Sequence, residues 1–214
     1  KVLELALNDG RDPLGGQQLG PHTGSAGALA SFGELYGAFE VQLQAVIDCK
    51  LRGNHLIERM YAHDAPAPYL SVLTDDCIAK GKDYNDGGPR YNTSYIQGVG
   101  IGSITDALAA IQQHVFERRE LTMAALLDAL ATDWAGQEPL RLRLANRTPR
   151  YGNDDPAADA LMLDVFESFY RMVEGRPNTK GGAYHIDMLP TTCHIYFGAM
   201  TGASADGRRA RQPL

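Results

Sequence analysis

Apolar positions along this chain recur mostly at spacings of three and four, the period of a helix with one buried face. The longest such run covers residues 31–62, where Phe32, Leu35, Tyr36, Phe39, Leu43, Val46 and Ile47 fall on one stripe. Ser31 and Glu34 stand at capping-box spacing before it. Leu51, Leu56, Ile57 and Met60 carry the pattern on, with Gly53-Asn54 as a candidate interruption and Pro66 and Pro68 as a stop. Residues 1–9 read as the end of a helix closed by Gly10, and residues 10–31 as a long Gly- and Pro-rich loop that is either functional or packed over other structure.

A second helix is predicted over 69–82 and further ones over about 103–118, 122–135 and 137–146, with Thr122 as a cap. Another starts after Asn153-Asp154-Asp155, with Pro156 in its first turn and Leu161, Val165, Phe169 and Val173 on one stripe. Two stretches read as strands: the Gly-rich passage 86–103, through Tyr91, Thr93, Tyr95 and Val99, and residues 184–197. Long helices with isolated apolar strands predict an α/β fold, with too few strands to close a sheet.

Composition narrows the class. With 214 residues, 44% of them hydrophobic, the chain can bury a sizeable core. The formal net charge of −6 and the scatter of Lys and Arg argue against a nucleic-acid or anionic-membrane partner. No apolar run reaches membrane-spanning length, and no secretory leader is evident. The three cysteines, at 49, 77 and 193, form no zinc or CxxC spacing and suggest reduced thiols in a cytoplasmic setting. The chain begins at Lys1 and ends at Gln212-Pro213-Leu214, which is expected of an excised segment.

Candidate chemistry is sparse. Gly98-Val99-Gly100-Ile101-Gly102 approaches a dinucleotide fingerprint but has Ser103 in the sixth position, so close backbone packing at a strand-to-helix turn is the expected reading. Cys193-His194 cannot form a dyad if both lie on a strand, and Cys193 is expected to share a buried face with Ile195 and Phe197. Cys49 and Cys77 are expected to fill core space. Asp75-Asp76 reads as solvated or paired, and Asn153-Asp154-Asp155 as a helix start. The six histidines show no H-x-x-x-H spacing, and no metal site is expected.

Five strings in register nevertheless resemble one family. They are LELALNDGRDPLGGQQLGP (3–21), KLRGNHLIERMYA (50–62), YNDGGPRYNTSYIQGVGIGSITDALAAI (84–111), RYGNDDPAAD (150–159) and LPTTCHIYFGAMTGASADGRRARQPL (189–214). Together they resemble the glycyl radical enzymes, the pyruvate formate-lyase-like superfamily. Residues 87–106 and 175–198 are most similar to its hydroxyproline-dehydrating branch, with Pro89 and Ser204-Ala205-Asp206 as departures.

The resemblance implies a helix-rich α/β fold, part of a ten-stranded barrel made of two antiparallel five-stranded halves. It places residues 1–214 in the C-terminal part of the barrel domain, without the cysteine loop and without the glycyl radical domain. None of Cys49, Cys77 or Cys193 stands in the family's C-x-E setting, and no R-V-x-G-Y-like string occurs. No catalytic radical residue is therefore assigned within the chain, and the segment alone is expected to be inactive. No bound cofactor is implied; the radical is installed post-translationally by an activating enzyme that uses S-adenosylmethionine and an iron–sulfur cluster.

The implied partners are that enzyme, a small polar substrate resembling hydroxyproline, and a second copy in a full-length homodimer. The implied reaction is elimination of water after thiyl-initiated hydrogen abstraction. A diol, choline or aryl-acid substrate, or a truncated chain with only a binding role, are the alternatives. By the resemblance, Leu189, Thr191 and Thr192 border the substrate cavity.

Overall fold

The computed structural model describes residues 1–189 and 192–214. Nine α-helices and two strands occur among them, an α/β arrangement dominated by helix: α1 Val2–Leu7, α2 Phe32–Asp64, α3 Pro68–Leu73, α4 Cys77–Lys80, β1 Ser94–Gln97, α5 Ile101–Ile111, α6 Met123–Ala131, α7 Glu138–Arg147, α8 Pro156–Val173, β2 Tyr184–Asp187 and α9 Cys193–Ala199. The chain divides into two compact units. Unit one holds residues 1–45, 99–168 and 189–214; unit two holds 46–98 and 169–188.

The core of unit one is built around α5. Seven consecutive residues, Thr105 to Ile111, are buried, so this helix has no solvent face and is surrounded by its neighbours. Its Ala107, Ala109 and Ala110 are small enough to admit them closely. Leu3, Ala6 and Leu7 of α1, Leu35, Ala38 and Phe39 of α2, Met123, Leu126 and Ala129 of α6, Leu144 of α7 and Leu161 and Val165 of α8 complete the cluster.

Local side-chain hydrogen bonds cap the starts of α2, α6 and α8. The Ser31 hydroxyl accepts from the Glu34 amide at 3.2 Å while the Glu34 carboxylate accepts from the Ala30 amide at 2.8 Å. Thr122 Oγ1 accepts from the Ala125 amide at 3.2 Å, and Asp155 accepts from the Ala157 amide at 3.0 Å. The candidate interruption of α2 does not occur: the helix runs unbroken through Gly53, beside which there is open space. A helical glycine costs about 1 kcal/mol, too little to break a helix supported on both sides.

The loop after α1 is ordered by hydrogen bonds. The carboxylate of Asp9 accepts from the Thr23 and Gly24 amides at 2.6 and 2.7 Å, and Gln18 Nε2 donates to the Asp9 and Gly20 carbonyls. Gln42, fully buried on α2, donates to the Pro21 carbonyl at 2.7 Å and to Thr23 Oγ1 at 3.1 Å. A Cβ at Gly20 would stand 1.8 Å from Gln42 Oε1, so only glycine lets the loop approach that closely.

In unit two the strands β1 and β2 are parallel, with Ser94 opposite Tyr184 and Gln97 opposite Asp187. The Gly98 amide extends the ladder to the Asp187 carbonyl at 2.8 Å. These are the only strands among the described residues, so a ten-stranded barrel is not contained in this chain. The single helix expected over 69–82 is two short ones. They are separated because Thr74 is extended and Asp76 adopts φ 75°, where its carboxylate pairs with the Arg90 guanidinium at 2.9 Å.

The stretch expected to be one strand over 184–197 is strand only to Asp187, then helix from Cys193. A short apolar run does not by itself distinguish the two states. One tertiary contact is made here, the Leu214 amide donating to the His194 carbonyl at 3.2 Å, and locally Thr201 Oγ1 donates to the Phe197 carbonyl at 2.8 Å. The expected alternation is consequently absent. Ile195 and Phe197 are exposed and Cys193 is only half-buried. Cys49 is likewise exposed where core filling is expected, because it faces away from the buried Ile47 and Leu51; Cys77 is buried.

No helix among the described residues is long and apolar enough to cross a membrane.

Candidate active-site segment

The segment in question leaves the C-terminal end of β2, passes through residues 188–192 and enters α9. In parallel α/β folds, ligands gather at the carboxyl ends of strands, because the connecting loops there are free to vary while the sheet holds their roots. The root of this segment is held within unit two by a polar cluster centred on Glu58 of α2.

Glu58 Oε1 accepts from Ser94 Oγ at 2.5 Å and from the Tyr184 hydroxyl at 3.3 Å. Its other oxygen accepts from the Thr179 amide at 3.1 Å and hydroxyl at 2.8 Å. Burial raises the carboxyl, but these hydrogen bonds outweigh it and hold Glu58 below the usual carboxylate range. Tyr184, by contrast, is pushed up to about 12, first by burial and then by the Glu58 charge. Asn178 completes the clamp: its Nδ2 donates to the Asn92 carbonyl at 2.6 Å and to Ser94 Oγ at 3.1 Å, and its Oδ1 accepts from the Lys180 and Gly182 amides. One carboxylate and one amide thus fix the start of both strands.

On the opposite face of the strand pair, His185 Nδ1 lies 2.6 Å from Glu174 Oε1 and its ring lies 5.8 Å from that of Tyr95. Gly98 packs where a Cβ would meet Met188 Sδ at 2.7 Å, and Gly100 turns the chain into α5 with φ 87°. These glycines therefore serve close packing and a left-handed turn, the reading expected from their imperfect fingerprint.

Of the three residues expected to border the cavity, Leu189 is 52% exposed. Thr192 is exposed immediately before α9, where its hydroxyl makes no capping bond. Thr191 lies outside the described residues.

Downstream of α9, the text ending in ASADGRRARQPL is structural. Within unit one, Arg208 donates from Nη1 to the Gln212 carbonyl at 2.9 Å, from Nη2 to the Gly202 carbonyl and from Nε to Ser204 Oγ. Asp206 Oδ1 accepts from Ser204 Oγ at 2.5 Å. The loop is pinned from outside by Trp134 Nε1 on the Arg208 carbonyl at 3.1 Å, Arg141 on the Gly207 carbonyl at 3.0 Å and the Glu4 carboxylate on the Gly202 amide at 2.7 Å. Asp106 is held on Arg150 Nη2 at 2.9 Å and on the Tyr151 amide. Sequence reasoning missed Glu58, Asn178 and Gln42: each is an ordinary polar residue on a helix or in a loop, and its partners lie tens of residues away.

Among the described residues no group of His, Cys, Asp and Glu has the makings of a metal site. Asp155 caps α8 and Asp76 pairs with Arg90, which accounts for both acidic clusters.

Comparison with known proteins places this architecture. The family described as pyruvate formate lyase-like matches residues 1–198, and the chain belongs to that family. It is 50% identical over its whole length to the trans-4-hydroxy-L-proline dehydratase of Clostridioides difficile, and 34% identical to the (2S)-3-sulfopropanediol dehydratase of Klebsiella oxytoca. The crystal structure of the C. difficile enzyme with trans-4-hydroxy-L-proline bound superposes on all of this chain with a TM-score of 0.97. The glycerol-bound B12-independent glycerol dehydratase of Clostridium butyricum, 34% identical, gives 0.94. The chain spans 27% of the length of the C. difficile enzyme and 26% of the K. oxytoca one.

Proposed function

We propose that this chain is a portion of a glycyl radical dehydratase that removes water from trans-4-hydroxy-L-proline. The observation that carries the reading is the 50% identity over all 214 residues to an enzyme of that name, against 34% for a diol dehydratase. In the proposed whole protein, the segment belongs to a ten-stranded barrel whose cysteine loop and radical glycine lie outside these residues. An activating enzyme installs the radical, and the protein works as a homodimer in the cytoplasm.

The chemistry proposed for the whole enzyme is abstraction of a hydrogen atom from the carbon beside nitrogen by the thiyl radical, loss of the hydroxyl group with a proton as water, and return of the hydrogen atom from the thiol to the product radical, which leaves a pyrroline carboxylate and restores the thiyl. Within it, Leu189 supplies an apolar wall to the ring, and Thr191 and Thr192 offer hydroxyls that donate to or accept from the substrate's polar groups. None of the residues in this chain is proposed to carry the radical, so the isolated segment is inactive.

The test uses the full-length protein with its activating enzyme under anaerobic conditions. A glycyl doublet in the electron paramagnetic resonance spectrum and turnover of trans-4-hydroxy-L-proline are expected, with little turnover of glycerol, propane-1,2-diol or sulfopropanediol. Preferred turnover of a diol would replace the substrate assignment and keep the family. In the same assay, Thr192→Val is expected to raise KM about three- to tenfold, the worth of one hydrogen bond; an unchanged KM removes Thr192 from the site.

A further inference from the structure

A recess lies within unit one, between α7 and the end of the helix that continues α5. There the backbone widens into a π-helix over Gln112–Glu117, a form that often marks functional positions in helices. It turns His114 inward, where the ring is 1% exposed. Nδ1 of His114 bonds the Glu120 carboxylate and Nε2 lies 3.0 Å from Thr148 Oγ1. Gln113 Nε2 donates to the Arg147 carbonyl at 2.8 Å, so the wide turn and the C-terminal end of α7 are tied together at two points.

The groove these elements frame has a volume of about 660 Å³ and is lined by His114, Arg118, Glu120, Pro139, Leu142, Arg143, Asn146 and Arg147. Its charge is opposite to that of the chain. Three guanidiniums face it in a protein of net charge −6. None of Arg118, Arg143 and Arg147 donates a side-chain hydrogen bond or joins an ion pair among the described residues. The one carboxylate present, Glu120, bonds His114, and that hydrogen bond, with the charges of Arg118 and Arg143 added to it, holds its carboxyl below the usual carboxylate range. Arg143 and Arg147 stand one helical turn apart on α7, so their forks reach into the groove side by side.

We propose that this groove binds a small anion carrying two or more phosphate or carboxylate groups. Unpartnered guanidiniums match such oxygens bidentately. The volume falls in the range of small-molecule sites. Among the described residues no Phe, Tyr or Trp lines the groove, the His114 ring is buried, and Pro139 and Leu142 supply only a short apolar wall.

Titration calorimetry on the full-length protein tests this with two probes, inorganic pyrophosphate and citrate, at fixed ionic strength. Saturable binding of one equivalent per chain is expected for at least one of them, weakening as salt rises. Pyrophosphate alone identifies a phosphorylated ligand, citrate alone a polycarboxylate, and both the shared chemistry. The double variant R143Q/R147Q is expected to weaken binding about tenfold or more, since each charge-assisted contact is individually strong. Arg52→Gln, exposed in unit two, is expected to leave it unchanged. Absence of saturable heat with both probes, or equal affinity in the double variant, overturns the proposal and leaves three solvated arginines.

Discussion

The two units are stabilised by different physics. Unit one has a continuous apolar core, in which α5 is enclosed on all sides and Trp134 is 1% exposed. Unit two buries few large apolar side chains, chiefly Ile47, Leu51, Ile96, Val173 and Tyr184, and exposes Tyr69, Val72, Leu73, Ile78 and Tyr91, the last at 82%. What organises it is the hydrogen-bonded cluster of Glu58, Ser94, Asn178 and Thr179. An apolar core tolerates loss of any one polar contact, whereas a polar clamp loses all of its partners when its centre is removed.

Hydrogen exchange on the full-length protein, read peptide by peptide, breaks or sharpens that contrast. The largest effect is expected for Trp134→Ala, about 3–5 kcal/mol from loss of a buried aromatic. Faster exchange is expected across α5, α6 and the 201–210 loop, because the Arg208 carbonyl also loses its donor. Exchange confined to the immediate neighbours of residue 134 would show that unit one is not a single cooperative core.

Glu58→Ala ranks next. It strands Ser94, Thr179 and Tyr184 in a partly buried site, at about 1–3 kcal/mol, and is expected to loosen residues 92–98 and 177–187 while leaving α5 protected. Protection lost equally in both units would erase the distinction drawn here.

The pH dependence of the same cluster follows from the depressed Glu58 carboxyl. A folded-state value below the unfolded one contributes stability that is fully present above the ordinary value of 4.5 and is lost as pH falls through the folded value. The stability difference between wild type and Glu58→Gln is therefore expected to shrink on acidification below about pH 4.5. A difference that stays constant through that window would mean the carboxylate charge contributes nothing to the clamp. The smallest effect is expected for Ser31→Ala, about 1 kcal/mol from the lost cap, seen as fraying of the first turn of α2 in unit one.

The features legible in advance were those carried by neighbours in the chain. The start of α2 was readable from Ser31 and Glu34, the start of α6 from Thr122, and that of α8 from Pro156, since each signal lies within one helical turn of the end it makes. The packed reading of the 10–31 loop was also available from its length, although its anchor, Gln42, was not. The glycines at 98 and 100 were correctly expected to serve packing. The errors share a different origin. Residues 69–82 break where Thr74 is extended and Asp76, paired with Arg90, is left-handed. Residues 193–199 form a helix against which the end of the chain packs, the Leu214 amide donating to the His194 carbonyl. Neither partner is a sequence neighbour.

The candidate site divides the same way. Leu189, Thr191 and Thr192 are assigned to the cavity by family resemblance alone, and neither that resemblance nor any local pattern pointed to the Glu58 cluster. Glu58 meets Thr179 across 121 residues of chain, and no local pattern encodes that distance. By itself the sequence determined the long helices, the caps of α2 and α6, the start of α8 and the family, because periodicity, capping chemistry and extended similarity are local or linear properties. Tertiary structure decided whether an ambiguous apolar run became strand or helix, which polar side chains were buried, and where three unpaired arginines came to line one groove. Those outcomes rest on energies exchanged between residues that only folding brings within hydrogen-bonding reach.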